Sequence, residues 1–308
     1  MTGAAPPLLE FEKTTKWYGS IAALLEVTFR VGTEVVGLVG RNGVGKSTLM
    51  KLAAGLLRPS QGKVQIEGRP AHARAARARM GFCPDVETLY EELSGAAFVA
   101  WMLRYHGLDA RAARARAQEV LDELGLGDAM HRCIGEYSKG MRQRVRLAQA
   151  LAHRPSLVLL DEPMTGLDPV ARAELSATIR TLPGRGVGVL VSSHVLHELE
   201  AVVDRTVLVH QGRIVAQGSV AELRAQLPDR PSHVRLVVGE PRRLAAELAT
   251  WAEVVEVRFV GTDAIEVATS GTAQFLPALT RLLARWPDVR EVVPMRDDLA
   301  TLFGEFLG

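Results

Sequence analysis

The chain has only two cysteines in 308 residues, Cys83 and Cys133, and neither sits in a CxxC pair or beside clustered histidines. That excludes a disulfide framework and a cysteine zinc site, and two thiols in a reducing compartment is the plain reading. No apolar run approaches the length of a membrane span, so the chain makes no channel of its own. The first ten residues, MTGAAPPLLE, carry neither the basic stretch nor the apolar segment of a secretory leader, and the expectation is a cytoplasmic protein. A net charge of +2 implies no nucleic-acid partner and no acidic tail. Lysine is scarce beside arginine, which draws attention to Lys46 and Lys139. At 47% hydrophobic and 23% charged residues, the composition is that of an ordinary folded protein with one large domain or two modest ones.

What is present is organised around Gly40, Arg41, Asn42, Gly43, Val44, Gly45, Lys46, Ser47 and Thr48. These fit G-x-x-x-x-G-K-[ST], the P-loop. Before them, Glu34 to Val39 is an apolar, β-branched run that predicts a buried strand; after them, Ser47 to Leu56 predicts a helix with an apolar face. Strand, glycine loop and helix N-terminus gather backbone N–H groups around one point, and the helix dipole favours an anion there. Lys46 is expected to reach the β/γ-phosphates of a nucleotide and Ser47 to hold Mg²⁺.

Strand-type alternation spans Leu8 to Thr14 and Leu24 to Val31, and between them Trp17-Tyr18-Gly19 offers an aromatic that either stacks on a base or packs. Two copies of ARAARAR, at 73–79 and 110–116, predict helix, with arginines on solvated faces. Met80 to Cys83 is a brief strand ended by Pro84. Ser94 to Gly107 and Asp109 to Gly125 predict two helices, each with a capping residue at its start and glycine at its end. Ser138 stands where an N-cap would, ahead of a helix from about Lys139 to His153. Leu157 to Leu160 is an apolar strand with Asp161-Glu162 at its carboxyl end, the edge where open α/β sheets bind ligands. A GLDP turn at Gly166 to Pro169 leads into a helix from Ala171 to Leu182, and Gly186 to Val191 is a strand followed by Ser192-Ser193-His194. Arg205 to His210 and Arg213 to Gln217 predict a hairpin through Gln211-Gly212. Beyond a linker at Pro228 to Ser232, the order β-α-β-β-α-β suggests a small ferredoxin-like domain, with a final amphipathic helix at Asp297 to Leu307.

In sequence order, the P-loop, YSKGM, LVLLDEP, GLDP and SSH resemble the nucleotide-binding domain of ABC transporters over about residues 8–226. The resemblance implies an α/β P-loop NTPase core with an antiparallel β-subdomain and an inserted helical subdomain (about 86–153). Domain bounds of 1–227 for the nucleotide-binding part and 228–308 for an accessory part follow. It implies ATP and Mg²⁺, with Tyr18 stacking on adenine and the P-loop residues on the phosphates. Asp161 would support Mg²⁺, Glu162 would be the general base, and His194 would contact the γ-phosphate. Ser138 and Gly140 would contact ATP bound on an opposite subunit, and Asp168 would lie at the dimer interface. Since each chain has one P-loop and one YSKGM, a homodimer is the implied working unit.

Three departures stand out. Arg41 replaces a common Pro, and it either adds charge near phosphate or faces solvent. YSKGM keeps Ser138 and Gly140 of the usual LSGGQ but carries Lys139 and Met141. Asp85 replaces the usual Gln, which is implied to sense Mg²⁺ and lead to the membrane-facing surface. Asp85 either couples the site to a partner or belongs to a solvated acidic loop with Glu87, Glu91 and Glu92. YSKGMRQR and the ending DLATLFGEFLG look like the ABC-2 export branch, which implies separate multi-span membrane permease subunits. The chain would then sit at the inner face of the membrane through that permease. A soluble ABC ATPase acting on ribosomes or DNA is the alternative from another class. Against it stand a single nucleotide domain, no long heptad coiled coil, no zinc spacing and near-neutral charge.

Overall fold

The computed structural model describes residues 6–86, 89–195, 199–225, 232–270, 272–286 and 288–295. Two compact units meet in sequence near Val220 and Ala221. Of the linker expected at Pro228 to Ser232, residues 228–231 lie outside the described residues and Ser232 begins a strand; the helix expected at Asp297 to Leu307 and Glu87 also lie outside them.

The first unit begins with β1 (Leu9–Tyr18), β2 (Ile21–Val31) and β3 (Val35–Val39), then α1 (Lys46–Ala53). After these come β4 (Gln61–Ile66), β5 (Arg69–Pro70), the single turn α2 (Arg74–Arg77) and β6 (Met80–Cys83). Three helices follow: α3 (Gly95–Tyr105), α4 (Ala110–Glu123) and α5 (Lys139–Leu151). The unit continues through β7 (Leu157–Asp161), α6 (Pro169–Thr181), β8 (Gly188–Ser193), β9 (Arg205–His210) and β10 (Arg213–Gly218).

Its six-stranded sheet has the order β10-β9-β3-β8-β7-β6, parallel from β9 to β6 with β10 antiparallel at one edge. Every residue of β3, β7 and β8 is buried. That is why their sequences are unbroken apolar runs rather than alternating ones: strands covered on both faces have no solvent side. A second, antiparallel sheet, β2-β1-β4-β5, does alternate, burying Leu9 and Phe11. Phe11 stacks on Phe29 with ring centroids 4.7 Å apart. Both sheets and α1 share one core that includes Leu38, Leu49, Leu52, Leu159 and Leu190.

Helices α3, α4 and α5 close on a core of their own, with Phe98, Leu103, Val120, Leu121 and Val145 at its centre. Their starts are set by local chemistry. Ser94 accepts from Ala97 N, and Asp109 accepts from Arg111 N and Ala112 N, which satisfies N–H groups that the helix leaves free. The second alanine-arginine copy is helical as expected and the first only over the single turn of α2, and their arginines are not uniformly solvated. Arg116 is only 15% exposed in its side chain, donates to Ala152 O and pairs with Glu119 and Glu123. Arg79 forms a forked pair with Glu67. An amphipathic pattern shows which alanines go inward; it does not show that a nearby carboxylate draws an arginine down.

The second unit has β11 (Ser232–Val238), β12 (Val254–Val260), β13 (Ala264–Thr269) and β14 (Val289–Met295) in the order β12-β13-β11-β14, all antiparallel. Helices Pro241–Leu248 and Thr272–Leu283 bury Leu244, Leu248, Phe275 and Leu279 against one face. This is the split β-α-β arrangement of ferredoxin-like domains.

His153, just past α5, packs its ring on His106 at 4.0 Å and lies 3.2 Å from Met80 O through Nε2. Its Nδ1 is buried without a partner. Burial first, and the neighbouring His106 second, push its pKa from 6.5 down to about 4. The unfolded chain therefore takes up a proton that the folded chain resists. Stability is expected to be full above pH 6.5 and to fall progressively toward pH 4. Urea midpoints at a series of pH values check this, and the slope is expected to flatten in His153→Gln.

Candidate functional site

The phosphate-type loop grows directly out of β3. Gly45, at φ 115°, is the N-cap of α1, and no acidic residue occupies the first turn of that helix. A side chain at Gly45 would be strained by that φ and would meet Leu24 and the carbonyl of Ala23. The turn between β9 and β10 braces the loop: Gly212 N donates to Val44 O at 3.0 Å, and Gly212 O accepts from Leu25 N at 2.8 Å. The first N–H groups of α1 thus open into a cleft of about 320 Å³. Lys46 folds back over the loop, and its Nζ donates to Gly40 O at 2.7 Å and lies 3.7 Å from Glu162 Oε1. Burial holds the Lys46 ammonium below its usual pKa, against the pull of Glu162 and Asp161.

The acidic side of the cleft depends on strand register. Parallel pairing of β7 and β8 sets Asp161 opposite Ser192. The Ser192 hydroxyl donates to Asp161 Oδ1 at 2.6 Å and accepts from Glu162 N at 3.0 Å. Asp161 is 6% exposed. Burial raises its pKa against the Ser192 hydrogen bond, and the negative charges of Asp85 and Glu162 push the same way. Glu162 has φ 50°, a left-handed conformation costly for a residue with a side chain. That turn sends the side chain into the cleft while Asp161 stays beneath it. Glu162 Oε2 accepts from Thr165 Oγ1 at 3.3 Å and sits 2.7 Å from His194 Nδ1. One carboxylate is therefore held between a buried ammonium and an imidazole.

A family model for the ABC transporter matches residues 25–165. The daunorubicin resistance ATP-binding protein DrrA3 of Streptomyces coeruleorubidus is 38% identical over 237 residues, 76% of this chain and 74% of that one. The Nod factor export ATP-binding protein I of Burkholderia orbicola is 33% identical, with 81% and 83% covered. A solved ATP-binding subunit of an ABC transporter superposes with a TM-score of 0.65 at 33% identity, over 71% of this chain and 93% of that one. The chain belongs to the ABC transporter ATP-binding family. A dimeric ATP-binding cassette with ADP and Pi, at 24% identity and a TM-score of 0.62, shares the fold. The protein is an ABC ATPase built on an α/β P-loop core.

Within this ABC ATPase the cleft brings together Asn42, Gly43, Gly45, Lys46, Ser47, Thr48, Asp85, Glu162 and His194. Gly40, Arg41 and Val44 shape the loop without lining the cleft: the carbonyls of Gly40 and Arg41 accept from Lys46, and Val44 O holds Gly212. Tyr18 ends β1 opposite Ile21, is 47% exposed, carries Lys16 Nζ 5.5 Å above its ring, and does not line the cleft.

Ser138, Gly140 and Asp168 form a separate group. Ser138 caps α5 by accepting from Met141 N at 3.2 Å, and Asp168 caps α6 by accepting from Ala171 N at 2.9 Å. Gly140 lies so close to Ala171 that a Cβ there would stand 3.1 Å from it, and Lys139 occupies the space a side chain on Gly166 would need. None of them lines the P-loop cleft. A larger cavity of about 590 Å³ between α4 and α6 holds none of the expected residues, and its arginines 116 and 185 are paired with Glu123.

Ser192 and Thr165 are the site residues that sequence reasoning missed. Ser192 is the first residue of SSH and Thr165 follows DEP by two positions; the Ser192 contact depends on strand pairing, that of Thr165 on a local turn. Ser192→Ala would leave the buried Asp161 carboxylate and Glu162 N without that partner. Urea unfolding is expected to show a loss of about 1–3 kcal/mol at pH 7.

Proposed function

We propose that this ABC ATPase is the energy-supplying subunit of an export-type transporter. It works as a homodimer at the cytoplasmic face of the membrane and drives a separate multi-span, ABC-2-type permease. The relatives named for drug resistance and Nod factor export support export. Among the described residues no helix is long and apolar enough to cross a membrane, so a pathway would have to come from another chain. The observation that carries the catalytic reading is Glu162, pinned between Lys46 and His194 at the mouth of the cleft.

In this reading the N–H groups at the start of α1, with Lys46, bind the β- and γ-phosphates of ATP, and Tyr18 stacks on the adenine. Glu162 orients and takes a proton from the attacking water. Thr165 and His194 fix which carboxylate oxygen faces it, and His194 also reaches the γ-phosphate. Ser47, Asp161 and Asp85 are hard oxygen donors suited to Mg²⁺. No group of three or more His, Cys, Asp or Glu among the described residues forms a cage by itself. That fits an ion shared with substrate phosphates rather than one enclosed by protein. When bound, Mg²⁺ neutralises charge on the phosphate oxygens.

Ser138, Gly140 and Asp168 lie outside their own chain's cleft, which supports their acting on ATP held by a second copy. ATP then favours the closed dimer over the open one, and hydrolysis removes that preference. The second unit acts as an accessory domain.

Glu162→Gln is expected to lower phosphate release by about 10²–10⁴-fold while ATP-bound dimer accumulates on size-exclusion chromatography. An ATP-loaded Glu162→Gln chain that stays monomeric would overturn the dimer reading. Affinity purification from membranes is expected to recover a multi-span partner, and recovery with ribosomes or DNA instead would refute the transporter assignment.

A further inference from the structure

The loop that presents Asp85 to the cleft begins where the sheet stops. The β6–β7 ladder runs to Cys83 opposite Leu160, and Pro84, with no N–H, cannot extend it as a donor. Asp85 then lines the phosphate cleft. The backbone at this point is gripped from α5: Arg146 Nη2 donates to Pro84 O. The guanidinium is itself anchored, since Nη1 donates to Gln143 Oε1 at 2.7 Å. Gln143 is 6% exposed, and its Nε2 reaches Cys83 Sγ at 3.7 Å. Two residues of α5, one turn apart, thus clamp the two residues that precede Asp85.

The neighbouring arginines go elsewhere. Arg142 pairs with Glu91, and Arg144 pairs with Glu174 and donates to Gly125 O. The contacts to Cys83 and Pro84 are made by Gln143 and Arg146.

We propose that Arg146 is a positioning residue that sets the Pro84–Asp85 backbone so that the Asp85 carboxylate serves the divalent cation in the cleft. The proposal rests on the nucleotide-and-Mg²⁺ reading above and adds a residue to it. It also gives α5 two points with different duties: Ser138 caps its start, and Arg146, in mid-helix about 12 Å further along the axis at 1.5 Å per residue, grips the cleft loop.

The experiment is an electron paramagnetic resonance titration of Mn²⁺ into the ADP-loaded protein, which reads cation affinity without turnover. Arg146→Ala is expected to weaken Mn²⁺ binding by about tenfold, as loss of a supporting group behind a metal ligand does. Asp85→Asn is expected to do the same, and the double variant to be no weaker than the weaker single variant, because both remove one function. Arg146→Lys, which keeps a donor for Pro84 O, is expected to recover part of the affinity. Arg146→Gln reads the same comparison if Arg146→Ala does not fold. Unchanged Mn²⁺ affinity in a folded Arg146 variant, or additive losses in the double variant, overturns the proposal. Lys46→Ala is the control: ADP and Mn²⁺ binding that survives it would refute the P-loop reading instead of the role of Arg146.

Discussion

The site depends on one hydroxyl. Ser192 joins the ends of two parallel strands by giving a hydrogen bond to Asp161 and taking one from the amide of Glu162. Without this contact the buried Asp161 carboxylate and the Glu162 amide would each lose that partner. With it, two adjacent acids acquire opposite fates. Asp161 is drawn under the sheet edge, where burial raises its pKa. Glu162 is turned outward to meet Lys46 and His194. Neighbours in sequence take different depths, one buried and one lining the cleft, and the register of β7 and β8 puts a serine, and not an alanine or valine, opposite Asp161.

Much of this arrangement is legible in the amino-acid sequence. The P-loop is local: one short run of residues carries a turn, a helix start and a lysine, so its placement needs no tertiary knowledge. The helix starts at Ser94, Asp109 and Ser138 are legible for the same reason, since a cap acts over three residues; α6, expected from Ala171, begins instead at Pro169 under an Asp168 cap. The β-α-β-β-α-β order of the second unit also follows from periodicity alone.

What is not legible depends on pairs distant in the chain. Ser192 matters because of a residue 31 positions away. Arg146 reaches back 62 positions to Pro84. The amphipathic pattern of its own helix predicts a solvated Arg116, yet that side chain lies over Ala152 O on another element. Tyr18 shows the opposite limit. Its identity draws notice at once, but its place at the tip of the β1–β2 hairpin, under the Lys16 ammonium, depends on the register of that hairpin.

The bond from Lys46 to Gly40 O carries a further meaning. With its ammonium tucked against a carbonyl of its own loop, the lysine helps to curl that loop to shape from within. An ammonium carries three N–H donors, so the bond to Gly40 O occupies one and leaves others for a further acceptor. Losing that side chain would therefore loosen the loop as well as remove a positive charge from the cleft.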